Sequence, residues 1–267
     1  MHMPTGWLMT TGSKAIEPKK SLGQHWLIDN QALEDILELS NIQPTDEVVE
    51  IGPGMGVLTK LLAKDAKHVT AVELDTDLVK HLNNLKLENV DIHNVDILSF
   101  NFKHLSNYKI VANIPYYLTG KIMRLVSELK NKPTLVVLLV QKEIAERLSA
   151  KPGNLSILGL TAQYYFEVVK GPLVTADKFD PPPKVDSQIV KLIPRTTTLD
   201  EQTEKELFRL IKIGFSSKRK TILNNLSSGL MKDKESVKEL LKLAKINPSD
   251  RPQTLGLDRW LEMLEHI

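Results

Sequence analysis

Cysteine is absent from this 267-residue chain, which excludes disulfides, thiolate metal sites and a cysteine nucleophile. The same absence fits a reducing cytoplasm. Long apolar runs are missing too: the longest, Leu135 to Val140, is far too short to span a bilayer. Around Trp7, Leu8 and Met9 there is no basic segment followed by a sustained apolar stretch, so no secretory signal is expected. No histidine cluster has metal-ligand spacing, and no metal is expected. Nor does one sign of charge dominate, since 35 basic residues face 33 acidic ones for a net +2. Composition alone therefore does not announce a nucleic-acid binder.

What is present is enough apolar material, 42% of residues, to bury a full core. The distribution of charge says more than its sum. Lys205, Arg209, Lys212, Lys218, Arg219 and Lys220 fall within one short stretch against a single acid, Glu206. Such a cluster suits either a solvated helix face or contacts to phosphates. Lys19-Lys20 is a second, smaller basic point.

Residues 1–18 lack periodicity and are expected to form a flexible extension. Asp29 or Asn30 can cap a helix that buries Leu33, Ile36, Leu37 and Leu39. From Glu47 onward, short apolar strands alternate with helices. The strands are Val48 to Ile51, Val69 to Val72, Val90 to Val95, Ile110 to Ala112 and Leu135 to Val140. This alternation predicts an α/β fold with a mostly parallel, doubly wound sheet. Strand-like segments recur at 167–170 and 187–192. After the polar linker Pro194 to Thr198, four helices are expected at about 200–214, 218–230, 233–245 and 254–265. The expected division is a sheet-bearing domain over 19–195 and a smaller all-α domain over 196–267.

In a doubly wound sheet, ligands bind beyond the carboxyl ends of the strands. The unusual polar residues fall at that edge. Gly52, Gly54 and Gly56 follow the first strand, Glu73 ends the second, Asp96 follows the third and Asn113 the fourth. A glycine loop there suits either a dinucleotide, whose fingerprint is G-x-G-x-x-G, or a ligand with a compact amino-acid moiety. The observed spacing is Gly52-x-Gly54-x-Gly56, with the acid Glu50 just before it. The acid favours a cationic amine over a phosphate, and Glu73 can accept from ribose hydroxyls under either reading. Asn113-Ile114-Pro115-Tyr116 has an amide that can accept from an NH2, a stiff backbone and a stacking face. Placed side by side, the two stretches suit methyl transfer from a sulfonium donor to an exocyclic amine.

These stretches resemble the S-adenosylmethionine-dependent ribosomal RNA adenine dimethyltransferases. The likeness runs from about residue 19 to 264. It is carried by Lys20 to Leu27, Glu50 to Gly56, Val72 to Asp75, Asn113 to Tyr116, Val140 to Glu143, Phe179 to Ser187 and Lys218 to Ile222. The resemblance implies a Rossmann-like methyltransferase sheet followed by a helical, rRNA-binding domain. It implies that His25, Leu27, Gly52, Gly54, Glu73, Asp96 and Asn113 contact S-adenosylmethionine. It further implies that Asn113, Ile114, Tyr116 and Phe179 hold a flipped adenine for N6 transfer, and that Lys218, Arg219 and Lys220 contact RNA. The family usually has Asn-Phe where this chain has His25-Trp26.

The implied substrate is a pair of adjacent adenosines in the 3′-terminal hairpin loop of small-subunit rRNA, in a pre-30S particle. The implied enzyme is a cytoplasmic monomer with no membrane partner. Large-subunit rRNA is the alternative target, and a non-catalytic assembly or transcription factor is the alternative role. The three prolines after Phe179 stiffen an extended loop, so its ring is expected to be displayed rather than buried.

Overall fold

The computed structural model describes residues 16–267. Most of the expected N-terminal extension, residues 1–15, lies outside the described residues. A single 3-10 turn over Lys20–Leu22 precedes the short strand β1 (Trp26–Leu27) and helix α1 (Asn30–Ser40). The Asp29 side chain caps α1 by accepting from the Ala32 N–H at 3.0 Å.

A seven-stranded sheet organises the chain. Its strands are β2 (Glu47–Ile51), β3 (His68–Glu73), β4 (Val90–Asn94), β5 (Tyr108–Asn113), β6 (Leu135–Gln141), β7 (Phe166–Val174) and β9 (Ser187–Pro194). Their spatial order is β4-β3-β2-β5-β6-β9-β7. The first five are mutually parallel, and β9 runs antiparallel to both its neighbours. The central strands β2, β5 and β6 are largely apolar because the sheet is covered on both faces there, whereas the edge strand β4 has no buried residue.

Alternation along the strands sends side chains to two separate cores. Val49, Ile51, Ile110, Ala112, Val136 and Leu138 join one apolar cluster. Val48, Val111, Val137 and Leu139 join the other. The second face is covered by α1 and by α2 (Val57–Asp65), through Leu33, Ile36, Leu58 and Leu62. The first is covered by α4 (Thr119–Glu128), α5 (Lys142–Leu148) and α6 (Ile157–Tyr165). Helix α3 (Thr76–Asn83) connects β3 to β4.

The helices after residue 195 are α7 (Glu201–Gly214), α8 (Ile222–Leu230), α9 (Lys234–Leu243) and α10 (Leu257–Leu264). They do not form an isolated core. Leu207, Ile211, Leu226, Leu241 and Trp260 belong to the same apolar cluster as the sheet face beneath α6. Trp260 is wholly buried, and its indole N–H donates to the Leu255 carbonyl at 3.1 Å. Gly214 is required where α7 crosses it, because a Cβ there would lie 2.2 Å from the indole.

One expected helix start moves. Lys218, Arg219 and Lys220 lie in the turn before α8, which begins at Ile222. Thr221 caps that helix, and the buried Asn225 amide donates to the Gly214 and Ser217 carbonyls at 2.5 and 2.9 Å. The amide holds the turn through residue 220, where a helix was expected to begin at 218.

Candidate active site

Topology places the two polar stretches next to each other. The chain leaves β2 to build β3 and β4 on one side, then crosses to β5 on the other. The switch point therefore lies between β2 and β5. In register, Ile51 pairs with Ala112, so Gly52 and Asn113 emerge together at the carboxyl edge. A Cβ on Gly52 would sit 3.8 Å from the Asn113 carbonyl oxygen, and Gly52, Gly54 and Gly56 all take left-handed φ. One cavity is lined by all the sequence-derived cofactor and base candidates: His25, Leu27, Gly52, Gly54, Glu73, Asp96, Asn113, Ile114, Tyr116 and Phe179. Lys218, Arg219 and Lys220 are not among its walls; all three are exposed and carry no salt bridge among the described residues.

Glu73 is held from two directions. Its carboxylate accepts from the Gly54 N–H at 3.3 Å and from the Asp75 N–H at 2.9 Å. Burial raises its pKa against those two hydrogen bonds. Asp96 stands exposed after β4. One of its oxygens caps the following 3-10 turn by accepting from the Leu98 N–H at 3.0 Å, and the other has no hydrogen bond among the described residues.

Beneath the glycine loop, Glu50 is 1% exposed and its pKa is pushed up to about 8, first by burial and then by the nearby charge of Glu73. The Thr59 hydroxyl beside it opposes that rise, while the Glu50 Oε2 and the Trp26 indole N–H are buried without a geometric hydrogen-bond partner among the described residues. Orphaned polar atoms are costly unless a ligand satisfies them. A site with acids at its base and end, glycines between and an aromatic wall fits an aminoacyl nucleoside such as S-adenosylmethionine.

Asn113 ends β5, and its amide nitrogen donates to the His25 main-chain oxygen at 3.3 Å. That contact assigns the amide orientation and leaves Oδ1 as an acceptor. Among the described residues, the neighbouring Ile114 carbonyl accepts no turn or side-chain hydrogen bond. Tyr116 opens the next 3-10 turn, with its hydroxyl 2.7 Å from the buried Ser187 hydroxyl, and burial raises its pKa. Its ring lies nearly parallel to the His25 imidazole, with centroids 6.0 Å apart and an interplanar angle of 21°. The His25 Nδ1 lies 2.6 Å from the Pro181 carbonyl. Since a carbonyl only accepts, Nδ1 carries the proton.

Phe179 corrects an expectation. Its side chain is buried, 3% exposed, within the core cluster that contains Leu27, Val174 and Ile189. The reason is β1, which pairs antiparallel with β8 (Phe179–Asp180) and opposes Leu27 to Phe179 and Trp26 to Asp180. The N-terminal segment covers the aromatic ring that the prolines alone would display, while the ring still contributes to the cavity wall.

Some contributors were not read from the sequence. The Lys19 ammonium bridges Asp75 at 2.6 Å and Asp77 at 2.9 Å, and Gln24 also bonds Asp75. These contacts tie the N-terminal segment to the start of α3. At Asp75, burial is outweighed by Lys19 and Gln24, and its pKa is lowered. Trp26 packs against the loop: a Cβ on Gly54 would lie 3.2 Å from its ring. Ser187 closes one of the stretches that carry the resemblance, but its role was not read, because only the fold of β9 brings it to Tyr116. Asp75 could be read as a helix cap, a role it fills by accepting from the Asp77 N–H.

Comparison with known proteins agrees with this geometry. The family model described as ribosomal RNA adenine dimethylase matches residues 16–267. A ribosomal RNA small subunit methyltransferase A of Dehalococcoides mccartyi is 40% identical over 93% of this chain and 88% of its own length. The protein of that name in Enterococcus faecalis is 38% identical over 92% and 88%. A dimethyladenosine transferase from Plasmodium falciparum superposes with a TM-score of 0.78 at 28% identity, over 91% of this chain and 97% of that one. The 23S rRNA methyltransferase ErmE gives a TM-score of 0.75 at 27% identity, over 90% and 98%. The chain belongs to the ribosomal RNA adenine dimethylase family.

Proposed function

We propose that this protein dimethylates the N6 amino groups of two adjacent adenosines in the 3′-terminal hairpin loop of 16S rRNA. The observation that carries the reading is the fixed Asn113 amide. With its nitrogen committed to the His25 carbonyl, Oδ1 and the Ile114 carbonyl form a pair of acceptors beside the glycine loop. An adenine NH2 has two hydrogens to donate, and its nitrogen is a poor nucleophile because its lone pair is delocalised into the ring. Two acceptors that hold those hydrogens draw the nitrogen toward tetrahedral geometry and expose the lone pair. Tyr116, anchored through Ser187, stacks on the base once it has left its own stack. Phe179 supports the opposite wall from within the core.

S-adenosylmethionine, when bound, supplies a methyl group on a sulfonium that an amine can attack directly. Gly52 and Gly54 admit its amino-acid part against the backbone, Glu73 accepts from its ribose, and Asp96 accepts from its adenine amine. His25 and Leu27 close over it from the N-terminal segment. What the residues provide is mainly positioning, which suffices for an in-line displacement. The proton lost from the methylated nitrogen passes to water or a nearby carbonyl, and a second round needs rotation about the C–N bond and fresh donor.

Residues 19–195 serve as the methyltransferase domain and 196–267 as an rRNA-binding domain, with Lys218, Arg219 and Lys220 set on phosphates. The target is a pre-30S particle in the cytoplasm, and the enzyme acts as a monomer. Among the described residues no helix is long and apolar enough to cross a membrane. The small-subunit name carried by relatives 36–40% identical favours that target over large-subunit rRNA. The test offers unmodified small and large ribosomal subunits together with methyl-labelled donor. Label in 16S rRNA supports the reading, and label confined to 23S rRNA overturns it.

A further inference from the structure

Tyr117 stands directly after the clamp and takes no part in holding the target adenine. It lines the same cavity, yet it is 54% exposed, unlike its half-buried neighbour Tyr116. Its ring makes no ring–ring contact and its hydroxyl no hydrogen bond among the described residues. The ring has a firm backing. A Cβ on Gly23 would lie 3.3 Å from both Cδ1 and Cε1, so the ring rests against main chain at a residue without a side chain. The turn that carries it is held as well, by Leu118 N–H to the Pro115 carbonyl at 2.9 Å and by the Thr119 hydroxyl to the Tyr116 carbonyl at 3.1 Å. Lys20, exposed, begins the 3-10 turn that Gly23 caps. A cation thus sits on the element that supports the ring.

A rigid, exposed aromatic face at the mouth of a base pocket costs apolar exposure unless something covers it. Withdrawing one adenine from a stack leaves the next base with an uncovered face of its own. We propose that Tyr117 is a stacking platform for the nucleotide adjacent to the target adenosine. It would hold that nucleotide while the target occupies the Asn113–Tyr116 clamp, with Lys20 placed for the intervening phosphate. The inference rests on the proposed adenine N6 transfer and adds a second base-sized subsite to it. It also gives a physical reason for acting on paired adenosines: a purine stacks more strongly on the platform than a pyrimidine does.

The test uses small subunits whose 16S rRNA carries either both adenosines or a uridine in place of one of them. Methylation of the remaining adenosine is followed with wild-type enzyme, Tyr117→Ala and Tyr117→Phe. On paired adenosines, Tyr117→Ala is expected to lower kcat/KM about tenfold, chiefly through KM, as loss of one base–aromatic stack predicts. Tyr117→Phe should stay within about twofold of wild type, and the Kd for S-adenosylmethionine should not change in either variant. The uridine particle, whose base still stacks but more weakly, should cost wild type about threefold and cost Tyr117→Ala little more. Losses that multiply independently would overturn the platform, as would a Tyr117→Ala enzyme equal to wild type on paired adenosines. A wild-type enzyme that places no methyl on adenine N6 would instead overturn the underlying reading of the site.

Discussion

The Asn113 side-chain nitrogen donates to the His25 main-chain oxygen across 88 residues of sequence, at 3.3 Å. The bond joins the end of a buried parallel strand to the N-terminal segment that covers the cavity. It therefore fixes the amide and closes the site in one contact. Replacing Asn113 by Ala removes the acceptor and leaves the His25 carbonyl unpaired. Methyl transfer should fall by at least about a hundredfold, since misplacement of the reacting nitrogen alone costs that much. Affinity for S-adenosylmethionine, measured by calorimetry, should change little. Retained turnover in a labelled-donor assay would remove the clamp from the account.

Phe179 faces Leu27 across the β1–β8 pair and is buried with it. Phe179→Ala should therefore cost stability as well as activity, about 3–5 kcal/mol on denaturant unfolding. Phe179→Leu keeps most of the volume and should recover most of that stability. If the ring also supports the target base, the Leu variant should remain slow on RNA. A Leu variant with full stability and full activity would confine Phe179 to packing.

Glu50 makes the stability of the cofactor-free protein depend on pH. Its folded pKa is about 8, above the ordinary 4.5, because burial disfavours the charged form. The folded state thus holds a proton that the unfolded state has released. Stability is fully present below about pH 4.5, is lost as pH rises toward 8, and is level above that. The interval corresponds to an upper bound of about 5 kcal/mol. Glu50→Gln removes the ionisation, so its Tm should fall less than that of wild type between pH 5 and 8. Parallel melting curves across that window would contradict the buried, proton-holding carboxyl.

Lys218, Arg219 and Lys220 are exposed in the turn before α8 and make no salt bridge among the described residues. If each neutralises a phosphate, their joint replacement by Ala should reduce the slope of log K against log salt by about 2 to 3. Catalysis at saturating RNA should be preserved. An unchanged slope would return the three residues to a solvated surface.

The sheet was legible because its central strands are buried on both faces and so read as short apolar runs such as Leu135 to Val140. The register of Gly52, Glu73, Asp96 and Asn113 at one edge followed from strand ends alone. Contacts made by segments distant in sequence were not legible. No local pattern announces that Trp26-Leu27 pairs with Phe179-Asp180, and that pairing reverses the expected exposure of Phe179. Ser187 anchors Tyr116 from 71 residues away. The Lys218 turn was misread as helix because its basic residues are compatible with either state. What decides it is the Asn225 amide, whose partners lie 11 and 8 residues back.

The most direct measurement is mass spectrometry of nucleosides from small subunits lacking the modification, after incubation with the enzyme and S-adenosylmethionine. The expected product is N6,N6-dimethyladenosine at two adjacent positions of 16S rRNA, formed by the wild-type chain and lost with Asn113→Ala. Methyl groups on another base or another adenine nitrogen, or none at all, would contradict it.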